Sequence, residues 1–282
     1  MTLGSIVFIF FIIAILKPLI FKVCAVKLDH RTAPIFISSF LLLGTVLTLP
    51  FYHTLLATGF VQLLDTPPAL FFCLLKGIVI WYAIFLGQKL TQHSLSSSRF
   101  VLPPALALAA FVNMFLGEIL STGQWISVLG LSLLGIAFFF KGHLKELTIE
   151  SKKIYLILIA ITVILISTDF YTVSHSNWYV HLFLSNAVLF IFCLIQRKPL
   201  AIWRSALLSK EGALAGFSMV VYEFIKFSAM ITYVPVTTIT SVQAAATPII
   251  LALTALIWKE RSWQEQLIWG VLTTLFLMIA LI

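Results

Sequence analysis

The sequence predicts an all-α polytopic membrane protein of ten transmembrane helices. Three observations carry that expectation. First, the 282 residues are 61% hydrophobic and only 10% charged. A soluble globular domain carries roughly 25% charged residues, so this chain has too few charges to clothe a wetted surface. Second, apolar runs of bilayer-spanning length recur from end to end, and about 20 residues suffice to cross a bilayer as a helix. Third, the connectors are short and polar, which leaves no room for a domain outside the membrane.

The spans fall near residues 3–23, 32–51, 68–87, 97–117, 123–141, 153–171, 178–196, 212–231, 237–257 and 264–282. The first could pass for a secretory signal, but it lacks a small-x-small cleavage site and similar segments follow along the chain. The third and fourth are parted by the polar run Gln88 to Ser94, the eighth and ninth by a turn near Tyr233-Val234-Pro235. Cys24, Cys73 and Cys193 are odd in number and far apart, so they predict packing residues rather than a disulfide or zinc framework. The formal charge of +8 does not predict nucleic-acid binding, because the bases sit in short clusters between apolar runs. No nucleophile elbow, phosphate loop or paired carboxylates are present, so the chain reads as a non-enzyme without a cofactor. The six histidines, His175 and His181 among them, never pair at metal-ligand spacing and read as interfacial.

The chain echoes itself. Leu95-Ser96-Ser97-Ser98, Pro103-Pro104, Gly117-Glu118 and Gln124 precede one apolar span. Thr237-Thr238-Ile239-Thr240, Pro248, Lys259-Glu260 and Gln264 or Gln266 precede the last, which carries Gly270. Five spans per copy, an odd number, would point the halves oppositely in the bilayer, as in the inverted repeats of secondary transporters. The expected halves are 1–145 and 146–282.

These segments resemble the EamA-type repeat of the drug/metabolite transporter superfamily. Thr91 to Gly135 carries the first copy and Thr237 to Ile282 the second, with Lys17-Pro18 and Arg31 fitting the start. The resemblance implies transport by alternating access of amino acids, drugs, sugars, nucleotide sugars or other small metabolites. It also implies a central cavity lined by the first, third, fourth, sixth, eighth and ninth helices. An arginine-rich loop is absent between Phe51 and Pro67, and Ile119 stands where an Arg often follows Gly-Glu.

Lys and Arg in short loops mark the cytoplasmic side. Fifteen of the 18 basic residues, among them Lys22, Lys89, Arg99, Lys141, Lys145, Lys259 and Arg261, fall in odd-numbered loops. None falls in an even-numbered one. This bias predicts cytoplasmic odd loops and both termini outside, whereas the resemblance implies termini inside. The short loops suggest a bacterial inner membrane.

The remaining three lysines lie within spans, where a charge is costly and usually faces a cavity, a partner or water. Lys76, midway down the third span, is the leading substrate-facing cation. Glu223 and Lys226 share a helical face and could pair locally, or Glu223 could reach Lys76. Glu223 is the leading proton-coupling residue. Lys17 reads as either a cavity group or a snorkelling amine. Pro18 beside it marks a kink, and Pro103, Pro104 and Pro248 are further gating or structural positions. Asn113, Asn186 and Gln243 could bind substrate or join helices. Trp81, Tyr82 and Tyr222 could wall a substrate or merely pack. Glu118 and Glu260, at span ends, read as solvated turn residues.

Three buried lysines against one clearly buried glutamate predict a cavity for a small carboxylate- or phosphate-bearing metabolite, such as an amino acid or a relative of one. Protons are the candidate coupling partner, membrane lipid the surroundings, and a homodimer is compatible. The alternatives are an exporter of cationic or apolar drugs with Glu223 as main contact, a lipid flippase or scramblase, and a structural scaffold.

Overall fold

The computed structural model describes residues 3–93, 95–138, 148–230 and 235–258, with isolated positions between 268 and 279. Most of the expected tenth span lies outside the described residues. So do Tyr233, Val234, Lys141, Lys145, Lys259, Glu260, Arg261, Gln264, Gln266 and Gly270. Every described element is a helix: α1 (Leu3–Lys27), α2 (Ala33–Asp65), α3 (Pro67–His93), α4 (Leu95–Arg99), α5 (Leu102–Phe115) and α6 (Thr122–Phe138). They continue with α7 (Ile149–His175), α8 (Trp178–Ile195), α9 (Leu200–Leu208), α10 (Lys210–Ile225), α11 (Val236–Ala245) and α12 (Thr247–Trp258). Among the described residues, six helical segments are long and apolar enough to cross a membrane. This is the helical, membrane-embedded fold that composition demands, because only a helix or a closed barrel satisfies its own backbone in hydrocarbon.

Prolines set where helices bend or break. The expected second span ends near Pro50, yet α2 continues to Asp65 with a kink at Tyr52. Proline removes one hydrogen bond, but the residues beyond it are apolar and can resume the helix. The Asn177 amide holds that continuation by donating to the Leu55 carbonyl at 2.7 Å. The expected fourth span is two helices, α4 and α5, with the break just before Pro103 and Pro104. The carbonyl of Phe100 accepts from the Tyr155 hydroxyl at 3.0 Å, and that of Pro103 accepts from the Ser132 hydroxyl at 2.7 Å. The ninth span breaks likewise at Ala246, between α11 and α12, just before Pro248. Helix α9, in the stretch read as the seventh loop, was not expected.

Packing alternates between sequence-distant helices. α3 lies against α7 and α8, α2 against α8 and α10, α1 against α10, α5 against α7, and α11 against α5. Gly77 permits the close α3–α8 crossing: a Cβ there would stand 2.6 Å from Val188 Cβ and 2.7 Å from the Ser185 carbonyl. Such close approach is the usual role of small residues between membrane helices. The three cysteines are buried free thiols.

At the end where α1 and α3 terminate, Gln92 donates to the carbonyls of Ala25 and Leu28 at 3.2 and 3.1 Å. Two exposed ion pairs close the same end, Lys27–Glu211 between α1 and α10 at 2.5 Å and Lys89–Glu150 between α3 and α7 at 2.6 Å. Lys22, read as a loop base, instead lies buried within α1 and donates to the Thr91 carbonyl at 3.0 Å. Asp29 caps the short 3-10 turn His30–Thr32 and forks Arg31. The Arg31 hydrogen bond holds its carboxyl down, from the usual 3.8 to about 2.

Candidate functional site

A cavity of about 250 Å³ lies at the centre of the bundle. Its wall contains Lys17 from α1, Lys76 from α3, Asp169 from α7, Tyr222 and Glu223 from α10, and Lys226 where α10 passes into a π turn, Lys226–Met230. Leu102 of α5 and Thr240 and Gln243 of α11 complete it. The wall therefore draws on the first, third, fourth, sixth, eighth and ninth spans.

Asp169 is the hub. One of its oxygens pairs with the Lys76 ammonium at 2.7 Å and lies 2.9 Å from His181 Nε2; the other accepts from Lys226 at 2.5 Å. Lys76 Nζ is 3.1 Å from the same imidazole nitrogen. Nε2 can donate to the carboxylate only when it carries the ring proton, and can accept from Lys76 only when it does not. His181 Nδ1 is buried and without a hydrogen-bond partner among the described residues. The Phe227 ring supports both ammonium groups, with Lys76 Nζ 4.5 Å and Lys226 Nζ 4.8 Å from its centroid. With neutral histidine, the cluster of two lysines and one carboxylate carries one net positive charge.

This geometry corrects several expectations. Among the described residues three carboxylates are buried, Asp169 and Glu118 as well as Glu223. Asp169 lies two residues before the expected end of the sixth span and is not among the candidates drawn from the sequence, but α7 runs on to His175 and carries it into the interior. His181 is fully buried rather than interfacial, because the extended ends of α2 and α7 cover the start of α8. Lys226 pairs with Asp169 and not with Glu223, since the π turn beginning at Lys226 changes the three-residue register that a regular α-helix would give. Lys76 also pairs with Asp169. Glu118 is buried, not solvated: it accepts from the Thr237 N–H at 3.0 Å, from the Thr237 hydroxyl, and from the Asn113 amide at 2.8 Å. Gly117, at φ +98°, makes the left-handed turn that points Glu118 back at the start of α11.

The other predicted site residues separate. Lys17 sits 3.4 Å from the Tyr222 ring centroid, a cation–π contact. Glu223 reaches the cavity with no hydrogen bond or ion pair among the described residues. Trp81 is buried, stacked on Phe85 at 5.2 Å, and lines neither this cavity nor the adjoining one. Tyr82 is 45% exposed and also lies outside both linings. Pro18 lines the adjoining cavity, and Asn113 joins α5 to Glu118. Asn186 is buried with its amide nitrogen unpartnered among the described residues.

No protein-family model and no curated protein sequence matches the chain. Among solved structures nineteen chains match. One of them, described only as a crystal structure of a protein, has a TM-score of 0.58 at 14% identity. The match covers 98% of this chain and 96% of that one. At that identity the likeness shows the fold alone.

Proposed function

We propose that this chain is a carrier, moving a small carboxylate- or phosphate-bearing organic solute by alternating access of the central cavity. The observation that carries the reading is the cavity wall: charged side chains in the middle of an apolar bundle, drawn from the six spans that the EamA resemblance implies. Charges so placed are costly unless they face a ligand, a partner or water. Lysines 17, 76 and 226 outnumber Asp169 and Glu223 there, which favours an anion.

The packing supports reading the chain as a five-plus-five inverted repeat. Exchanging each span with the one five later turns the third–sixth contact into the eighth–first and the third–seventh into the eighth–second. It leaves the second–seventh and fourth–ninth contacts unchanged. The two breaks just before prolines fall in the fourth and ninth spans, which also exchange. In this reading the Asp169 cluster is the coupling element: a proton or a solute anion that competes for the lysines loosens α3 and the π turn from α7.

A second reading has one observation in its favour. Glu223 lines the cavity with no hydrogen bond or ion pair among the described residues, which suits a cationic drug. The experiment that separates them is uptake into proteoliposomes, with labelled anionic and cationic compounds and imposed pH gradients. Saturable uptake of a carboxylate or phosphate compound supports the proposal. Uptake confined to cations, lost in Glu223→Gln, replaces it with the drug reading. No uptake of either class rejects both.

A further inference from the structure

A second cavity, of about 220 Å³, adjoins the first and shares Lys17, Ala83, Ile84, Thr162 and Met219 with it. Its wall bears Lys17, Gln88 and Arg99 and no carboxylate. Gln88 is only 4% exposed, and its amide nitrogen has no hydrogen-bond partner among the described residues. Arg99 Nε is likewise buried and unpartnered. Both atoms can only donate. Lys17 meets a ring face and no acceptor oxygen among the described residues. Buried donors left unpaired are costly and uncommon in native structures. Two on one cavity wall, one of them on a cation, beside the Lys17 ammonium, describe a site that lacks an acceptor among the described residues.

We propose that Lys17, Gln88 and Arg99 form an anion subsite that takes a carboxylate or phosphate group. The guanidinium suits paired oxygens, and charge-assisted hydrogen bonds are the strong ones. The contrast with the central cluster decides the assignment: Lys76 and Lys226 already hold Asp169, whereas Arg99 and Lys17 make no ion pair among the described residues. As a loop charge fixing topology, Arg99 would need only water around it, and its Nε would not be buried. The subsite rests on the carrier reading only for the view that its ligand is the transported solute; binding itself needs no transport.

The test is anion binding to the purified full-length chain, read as thermal stabilisation in detergent. The probes are inorganic phosphate and succinate, with chloride at matched ionic strength as control. The same chain in nanodiscs of phosphatidylcholine with or without phosphatidic acid tests a lipid headgroup as the source of phosphate. We expect saturable stabilisation, weakened at least tenfold in Arg99→Gln and in Gln88→Leu. Arg99→Lys, which keeps the charge and loses the fork, should fall between and serves as the folding-competent variant. A response to phosphatidic acid alone, lost in Arg99→Gln, also supports the subsite, with a headgroup as ligand. No saturable response to any of these anions, or one undiminished in both variants, overturns it. Anion binding without uptake into proteoliposomes sinks the carrier reading and leaves the subsite. Uptake with undiminished affinity in Arg99→Gln does the reverse.

Discussion

Replacing Asp169 by asparagine removes the one carboxylate that holds Lys76, Lys226 and His181 together. The two ammonium groups remain, with side chains only 4% and 12% exposed. Removing one partner of a buried ion pair typically costs about 3–5 kcal/mol, because it strands a buried charge. At roughly 2–4 °C per kcal/mol for a chain of several hundred residues, Asp169→Asn should lower the apparent Tm by about 10 °C. Lys76→Met should cost far less, on the order of 1 kcal/mol, since Asp169 keeps Lys226 and His181. The double variant strands one lysine instead of two, so it should recover about 2 kcal/mol relative to the sum of the single changes. Equilibrium unfolding in mixed micelles by a denaturing detergent measures all four proteins on one scale. Additivity within about 0.5 kcal/mol would refute the cluster as an energetic unit.

Three further outcomes are expected from other contacts. Glu118→Ala leaves the Asn113 amide and both Thr237 donors without their acceptor; it should destabilise by about 2–4 kcal/mol, with Glu118→Gln milder, by the same unfolding assay. Gly77→Ala drives a methyl group into Val188 and the Ser185 carbonyl. It should cost roughly 1–3 kcal/mol, and Val188→Ala should restore only part of that, because the carbonyl remains. Asp29→Asn removes a carboxyl held down to about 2 by Arg31. A lowered acid stabilises the fold above its usual 3.8 and loses that contribution as pH falls to about 2. The stability gap between Asp29→Asn and wild type should therefore close across that window, as read by pH-dependent melting.

The helices were legible because hydropathy is local. Their ends were less so, because a proline can either bend a helix or end it, and the choice rests on the residues beyond it and on tertiary partners. Pro50 bends α2 without ending it, whereas the break before Pro103 is stabilised by Tyr155 and Ser132 from other helices. The site divided along the same line. Lys17, Lys76, Tyr222, Glu223, Lys226 and Gln243 stand out as polar groups inside apolar runs, and all six line the cavity. Asp169 and His181 did not, because each sits close to an expected span end and only the length of α7 and the cover from α2 show their depth. Running α7 on through Tyr171-Thr172-Val173, which carries no charge or proline, would have placed Asp169 inside. Arg99 and Gln88 read as loop polarity for the same reason. Which lysine meets which carboxylate is a long-range fact, carried by no spacing in the sequence.

The pairs Lys27–Glu211 and Lys89–Glu150 each tie a helix of the first 145 residues to one of the remainder, and both do so at the same end. They are exposed, so salt screens them over a Debye length of about 8 Å at physiological ionic strength. The Asp169 cluster is buried, with side chains at most 12% exposed, and feels that screening less. Ionic strength is therefore a one-sided lever on this molecule. Dilute buffer latches the end carrying α1's last turn, weakly, as exposed pairs do. Concentrated salt releases that latch while the clasp at mid-depth holds.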